Sequence, residues 1–202
     1  MNIDEIMRSA PVIPVLVLEG ERDWAALAET FVAAGLPVLE VTLRTPAALP
    51  AIRAMSKVSG AIVGAGTVLN EEQLDQALDA GSQFIVSPGL TEPLGKAAIA
   101  SGAAFLPGVA TAGDLMRGFE LGLRRFKFFP AEASGGIPAL KALSAPFGEA
   151  RFCPTGGIRP ETAAEWLAVP SVLCVGGSWF VQPGELNLSE VSERARAAAA
   201  LR

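Results

Sequence analysis

Eight apolar, β-rich runs recur along the 202-residue chain, at residues 12–18, 38–43, 61–67, 84–88, 104–109, 125–130, 151–155 and 172–176. Each is followed by a stretch of helical character, and in residues 23–34, 71–80, 113–122 and 160–168 the apolar side chains fall at helical spacing. The unit repeats roughly every 20–26 residues, short but sufficient for a βα unit. Local signals mark the same boundaries. Asn70 stands before Glu71, Glu72 and Gln73, an N-cap followed by first-turn acids with Gln at the capping-box position. Gly35, Gly81 and Gly102 follow the ends of their helices. Strict alternation of strand and helix implies a parallel sheet. Eight units favour a closed (β/α)8 TIM barrel over an open doubly wound sheet, although counting alone leaves the open sheet standing. No Gly-x-Gly-x-x-Gly follows the first strand, which argues against a dinucleotide fold. No linker-like segment interrupts the rhythm, so residues 1–202 are expected to form one barrel domain. A short amphipathic helix carrying Ile3, Ile6 and Met7 is expected to cover the barrel bottom.

Composition removes several function classes. Half of the residues are hydrophobic and only 18% are charged, which excludes a disordered chain. The net charge is −5 and the basic residues are scattered, whereas phosphate-backbone binding needs clustered Lys and Arg. No nucleic-acid partner is expected. There is no histidine, so His-based triads and most catalytic zinc sites are ruled out. Cys153 and Cys174 sit in apolar runs and read as reduced, buried thiols, not as a disulfide or metal pair. The N-terminal residues are acidic and no apolar stretch approaches the roughly 20 residues of a membrane span. A soluble, cytoplasmic protein is expected.

Of the four lysines, Lys57, Lys96 and Lys141 fall on predicted helices or their ends. Lys127 instead lies within Arg125-Phe126-Lys127-Phe128-Phe129-Pro130, a strand dominated by aromatics. Side chains alternate along a strand, so Lys127 and Phe129 share one face and Phe126 and Phe128 the other. Both faces of a barrel strand are buried, and desolvation disfavours an ammonium while the neutral amine attacks carbonyls. Lys127 alone also reads as half of a buried Lys–Glu pair, or as an amine that snorkels to the mouth. A second strand tips the balance. In Glu40-Val41-Thr42-Leu43-Arg44-Thr45, the residues Glu40, Thr42 and Arg44 project to one face, where polar groups are costly without partners. The plain alternative is an intrastrand Glu40–Arg44 ion pair. Beside Lys127, however, the set makes chemical sense. The amine forms an imine with a 2-oxo acid, Arg44 holds its carboxylate, and Glu40 moves protons. No cofactor and no metal are required, because a protonated imine is itself an electron sink.

Two glycine pairs follow the seventh and eighth strands, Thr155-Gly156-Gly157 and Gly176-Gly177-Ser178. Phosphate sites of barrels recur at those loops, built from backbone N–H groups, and Ser178 adds a hydroxyl. The third and fourth strands end on Gly66-Thr67 and Ser87-Pro88-Gly89, so Thr67 is a candidate carboxylate donor and Pro88 a pocket wall. Ser134-Gly135-Gly136 reads either as further backbone donors or as a simple loop. Trp24, Trp166 and Trp179 read as packing residues.

At these residues the chain resembles the 2-keto-3-deoxy-6-phosphogluconate (KDPG) aldolases, a family that includes 4-hydroxy-2-oxoglutarate (KHG) aldolase activity. The motifs that carry the resemblance include Glu40-Val41-Thr42-Leu43-Arg44-Thr45, Gly64-Ala65-Gly66-Thr67-Val68, Ser87-Pro88-Gly89 and Phe126-Lys127-Phe128-Phe129-Pro130-Ala131-Glu132. Phe152-Cys153-Pro154-Thr155-Gly156-Gly157-Ile158 and Gly176-Gly177-Ser178-Trp179 complete them, in order over nearly the whole chain. The resemblance implies class I cleavage of KDPG to pyruvate and glyceraldehyde 3-phosphate, with Lys127 as imine lysine and Glu40 as general acid/base. It further implies that Arg44 and Thr67 hold the pyruvate carboxylate, that Pro88 and Phe129 line the pocket, and that Thr155 meets the hydroxyl-bearing chain. Gly156, Gly157, Gly176, Gly177 and Ser178 would form the phosphate end. A cytoplasmic homotrimer of the Entner–Doudoroff route is the family expectation, and Val41 to Thr45 favours the gluconate epimer over the galactonate one.

Two other readings compete. A phosphate-binding barrel isomerase or epimerase could use Glu40 as base without covalent catalysis, but it leaves Lys127 without a task. A non-catalytic module that binds a sugar acid predicts binding without turnover.

Overall fold

The computed structural model describes residues 1–182 and 186–201. Helix and strand alternate from α1 (Ile3–Arg8) and β1 (Val12–Leu16) through α2 (Trp24–Ala33), β2 (Val38–Thr42), α3 (Ala48–Met55), β3 (Ile62–Gly66) and α4 (Glu71–Asp79). Next come β4 (Phe84–Val86), α5 (Glu92–Ala100), β5 (Ala104–Leu106), β6 (Gly108–Val109), α6 (Ala112–Glu120) and β7 (Arg125–Phe128). The chain ends with α7 (Gly136–Ser144), β8 (Arg151–Pro154), α8 (Pro160–Leu167), β9 (Val175–Gly177) and α9 (Leu188–Ala199). The start of α4 follows the cap read from the sequence. Asn70 accepts from the Gln73 amide at 2.9 Å, and Gln73 in turn accepts from Leu69 N at 2.8 Å. Thr111 and Asp114 cap α6 reciprocally.

All strand pairs are parallel. One ladder runs β5-β4-β3-β2-β1-β9 and the other β6-β7-β8. The expected fifth strand is divided into β5 and β6 at Pro107, which has no N–H for the ladder, although its carbonyl still accepts from Lys127 N at 2.8 Å. On the far side the ladders rejoin through the pairings Phe152 with Val172 and Thr155 with Gly176, so the sheet closes into the (β/α)8 barrel. The last strand starts later than its apolar run suggests. Val172 makes only a single bridge, and the regular ladder with β1 begins at Val175.

Alternation along each strand divides the buried side chains between two layers. Leu39, Val41, Phe126 and Phe128 pack outward beneath the helices, whereas Ile13, Val38, Phe84, Leu106, Cys153 and Cys174 belong to an inner cluster. Each such aromatic or aliphatic side chain stabilises the fold by roughly 1.5–3 kcal/mol relative to exposure. The inner cluster is stoppered from below by α1, whose Ile6 and Met7 are fully buried in it. An Asn2–Glu5 capping box starts α1, and Asp4 pairs with Arg125 at the foot of β7. Closed at that end, the barrel leaves its chemistry to the other.

Candidate active site

β2 and β7 lie on opposite sides of the barrel, and their inward side chains meet across it. Lys127 Nζ stands 2.8 Å from Glu40 Oε1, and the two residues are only 6% and 3% exposed. Small neighbours make room for this contact. Lys127 is in register with Gly108 on one side and Cys153 on the other, while Glu40 is in register with Gly64. The Glu40 carboxylate leans over Gly66, where a Cβ atom would fall 2.3 Å from Oε1. The Phe129 ring stands 5.5 Å from Lys127 Nζ, within reach of a cation–π contact, and the Phe129–Pro130 peptide is cis.

Of the structural alternatives, the buried Lys–Glu pair is present and the intrastrand Glu40–Arg44 pair is not. A buried ion pair is poor value as a stabiliser, since desolvating each charge costs several kcal/mol. Its chemical capacity is greater. Transfer of one proton along the 2.8 Å bond leaves a neutral amine beside a neutral carboxylic acid, a nucleophile and its proton donor in contact.

The other candidate residues lie at the C-terminal ends of the strands or in the turns that follow them. β2 stops at Thr42, whose hydroxyl donates to Leu16 O at 3.0 Å and so belongs to the wall. Arg44 lies in the following turn, exposed, and its Nε donates to Thr67 Oγ1 at 3.3 Å. Thr67 holds a φ of 60°, a left-handed conformation that is rare for a β-branched residue and clusters at functional sites. Pro88 is half-buried, and its carbonyl presses on Gly108, where a Cβ would meet the oxygen at 2.1 Å.

Across the β8–β9 junction, Thr155 is buried with its hydroxyl over Gly176; a Cβ there would lie 2.2 Å from Oγ1. Gly156 and Gly157 turn with positive φ values of 102° and 81°. Gly177 ends β9, and exposed Ser178 lines a cavity of about 290 Å3 together with Val15, Leu18, Glu19, Arg22 and Trp24. Ser134, Gly135 and Gly136 instead direct their amides to Pro130, Glu132 and Ala131 carbonyls, which is the simple-loop alternative leading into α7.

The sequence reading missed the β1–α2 loop. Glu19, Arg22 and Trp24 line both the Ser178 cavity and a groove of about 780 Å3 that continues to Arg44 and Thr45. Neither opening is lined by Lys127 or Glu40, which stay buried between the strands. Barrel closure held the missing signal, because β1 pairs with both β2 and β9 and its loop must sit between theirs.

Known proteins share both the sequence and the fold of this chain. A family model described as KDPG and KHG aldolase matches residues 3–196. A 2-dehydro-3-deoxy-phosphogluconate aldolase of Zymomonas mobilis is 58% identical over 201 residues, covering 100% of this chain and 97% of its own length. The KHG/KDPG aldolase of Escherichia coli is 50% identical over 190 residues, 94% of this chain and 89% of its own. Among solved structures, the Zymomonas mobilis aldolase with 3-phosphoglycerate superposes with a TM-score of 0.97, covering 99% and 96% of the two chains at 58% identity. A KDPG aldolase from Legionella pneumophila, with pyruvate captured as a covalent carbinolamine, gives 0.94 at 42% identity over 99% of each chain. With the matching model spanning nearly all of its length, the chain belongs to the KDPG and KHG aldolase family.

Proposed function

We propose that this protein is a class I aldolase that cleaves KDPG to pyruvate and glyceraldehyde 3-phosphate, and 4-hydroxy-2-oxoglutarate to pyruvate and glyoxylate. The observation that carries this reading is the buried contact between Lys127 Nζ and Glu40 Oε1. Neutral Lys127 attacks the 2-oxo carbon, and Glu40 delivers a proton to the departing hydroxyl so that water leaves and an iminium forms. Glu40, now a carboxylate, takes the proton of the C4 hydroxyl. The C3–C4 bond breaks, its electron pair passes into the enamine, and the aldehyde departs. Protonation of the enamine carbon and hydrolysis of the iminium release pyruvate and restore the lysine. Electrostatic and acid–base assistance of this kind contributes about 10²–10⁴-fold in rate.

Arg44 and Thr67 hold the substrate carboxylate in this scheme, with Pro88 and Phe129 as walls. Thr155 faces the hydroxyl-bearing chain, and Gly156, Gly157, Gly176, Gly177 and Ser178 take the phosphate. The Arg44–Thr67 hydrogen bond supports the first assignment, and the joining of the two glycine loops at the β8–β9 junction supports the second. The residues from Val41 to Thr45 favour the gluconate epimer. An isomerase that uses only Glu40 has no use for the amine bonded to it. We further propose a one-domain, cytoplasmic homotrimer, to be checked by sedimentation velocity and cell fractionation; among the described residues no helix is long and apolar enough to cross a membrane.

Borohydride reduction in the presence of pyruvate, followed by peptide mass mapping, tests the mechanism. A stable adduct on Lys127 is expected. Pyruvate binding with no adduct would remove the imine and leave the non-covalent barrel enzyme.

A further inference from the structure

Glu132 follows the lysine strand by a few residues, and nothing in the reaction scheme uses it. Its backbone N–H donates to Gly156 O at 3.1 Å, beside a second bond from Ala131 N to Thr155 O at 2.8 Å. Two consecutive carbonyls of the 155–157 turn are thereby drawn toward the 131–132 segment. The only cis peptide among the described residues is Phe129–Pro130, so the peptides of this turn are trans. In a trans peptide the C=O and N–H point in opposite directions. Anchoring the Thr155 and Gly156 carbonyls therefore aims the Gly156 and Gly157 N–H groups away from Glu132.

The Glu132 side chain is itself held. Its Oε1 accepts from Trp166 Nε1 at 3.0 Å, and Trp166 is fully buried on α8 against Phe128. Its Oε2 lies beside Gly136 at the start of α7, 3.6 Å from where a Cβ would stand. The carboxylate thus turns toward the outer helical layer, not toward the anion site. Gly157 packs on the stem of Glu132, where a Cβ would meet the Glu132 Cβ and Cγ at 2.7 Å. One side chain links the end of the lysine strand, the glycine turn after β8, and the two following helices.

We infer that Glu132, held by Trp166, is a positioning residue that orients the Gly156–Gly157 amides for the substrate phosphate; this rests on the phosphate assignment proposed above. It neither touches the substrate nor moves a proton, and its effect is confined to the phosphorylated end. Steady-state kinetics on KDPG and on unphosphorylated 4-hydroxy-2-oxoglutarate separate that role from a general structural one. Glu132→Ala and Trp166→Phe should each raise KM for KDPG about three- to tenfold, the range of one or two lost hydrogen bonds. In both variants kcat on KDPG and kcat/KM on 4-hydroxy-2-oxoglutarate should stay near the parent values. Glu132→Gln keeps an acceptor for the indole and should restore most of the KDPG affinity. The double variant of Glu132→Ala with Trp166→Phe should be no worse than the worse single one, because the two act as a unit. Ser178→Ala is the control for the phosphate site. Equal losses on both substrates, or none, in a background where Ser178→Ala does discriminate between them, would overturn the positioning role alone. Indifference of Ser178→Ala as well would take the phosphate assignment down with it.

Discussion

Lys127 and Glu40 share one hydrogen bond in a place that water scarcely reaches, so neither can be changed without consequence for the other. Lys127→Met should abolish imine formation and also leave the Glu40 carboxylate buried without its counter-charge, at a cost of about 3–5 kcal/mol. Replacing Glu40 by Leu in the same chain should recover most of that stability without any turnover, as urea unfolding would read out. Equal stability of Lys127→Met and the double variant would mean that Glu40 is not left as an uncompensated charge when the lysine is removed. Glu40→Gln tests the other member. It should still trap pyruvate on Lys127 but turn over about 10²–10⁴-fold more slowly. Exchange of the pyruvate methyl protons in D2O, followed by NMR, should slow in parallel; unchanged exchange would count against proton transfer by Glu40. At this scale Lys127 was legible because an amine in an aromatic strand has few bland explanations, and Glu40 because alternation sets its face. That Glu40 stands beside Lys127 was legible from the chemistry of the set, but their direct 2.8 Å contact was not, since it depends on β2 and β7 lying opposite each other in a closed ring. Nor was the departure of Arg44 from its strand. Period two carries Arg44 to the Glu40 face only while the strand continues, and it ends at Thr42.

Elements were readable wherever periodicity and caps agree. α2, α4, α6 and α8 match their predicted stretches within two residues at each end. Disagreement arises where apolar character and ladder geometry part company. Pro107 splits one apolar run into β5 and β6, and the run from Val172 pairs regularly only from Val175. The helix under the barrel was foreseeable from Ile3, Ile6 and Met7, but its electrostatic attachment was not. The hydrogen bond from Arg8, together with the ion pair to Arg125, holds the Asp4 carboxyl below the ordinary carboxylate value and outweighs the opposing effect of burial. A carboxyl whose folded value is depressed contributes stability above its unfolded value, and the contribution is lost as pH falls through the folded one. Asp4→Asn should therefore destabilise the protein at neutral pH, by no more than about 1 kcal/mol for so accessible a pair. Its deficit should shrink as pH falls below the ordinary carboxylate value and vanish once pH has passed the lowered folded one, where the parent has also lost the charge. Urea midpoints measured across that range would show the two curves converging; a constant gap would assign the loss to packing instead of charge.

For the molecule as a whole, the consequential feature is that the barrel closes through two ladders and not one. At β8–β9 the closure rests on two isolated pairings, Phe152 with Val172 and Thr155 with Gly176, in contrast to the five registered pairs between β2 and β3. The proposed phosphate end straddles this same junction, with Gly156 and Gly157 on one bank and Gly177 and Ser178 on the other. An anion held by amides from both banks would add a bridge where the sheet has fewest of its own. Ligand binding stabilises the native state through mass action, by about 1.4 kcal/mol at ten times Kd. For a domain of this size that is a rise of roughly 3–6 °C in Tm. Inorganic phosphate should produce such a rise, and hydrogen exchange should slow most at the amides of residues 156, 157, 177 and 178. Sulfate-free buffers of matched ionic strength provide the reference, so that general salt effects are subtracted. Ser178→Ala should shrink both responses together. Protection spread evenly over the barrel, or a Tm shift that Ser178→Ala leaves intact, would place the anion elsewhere and leave the junction to be held by its two pairings alone.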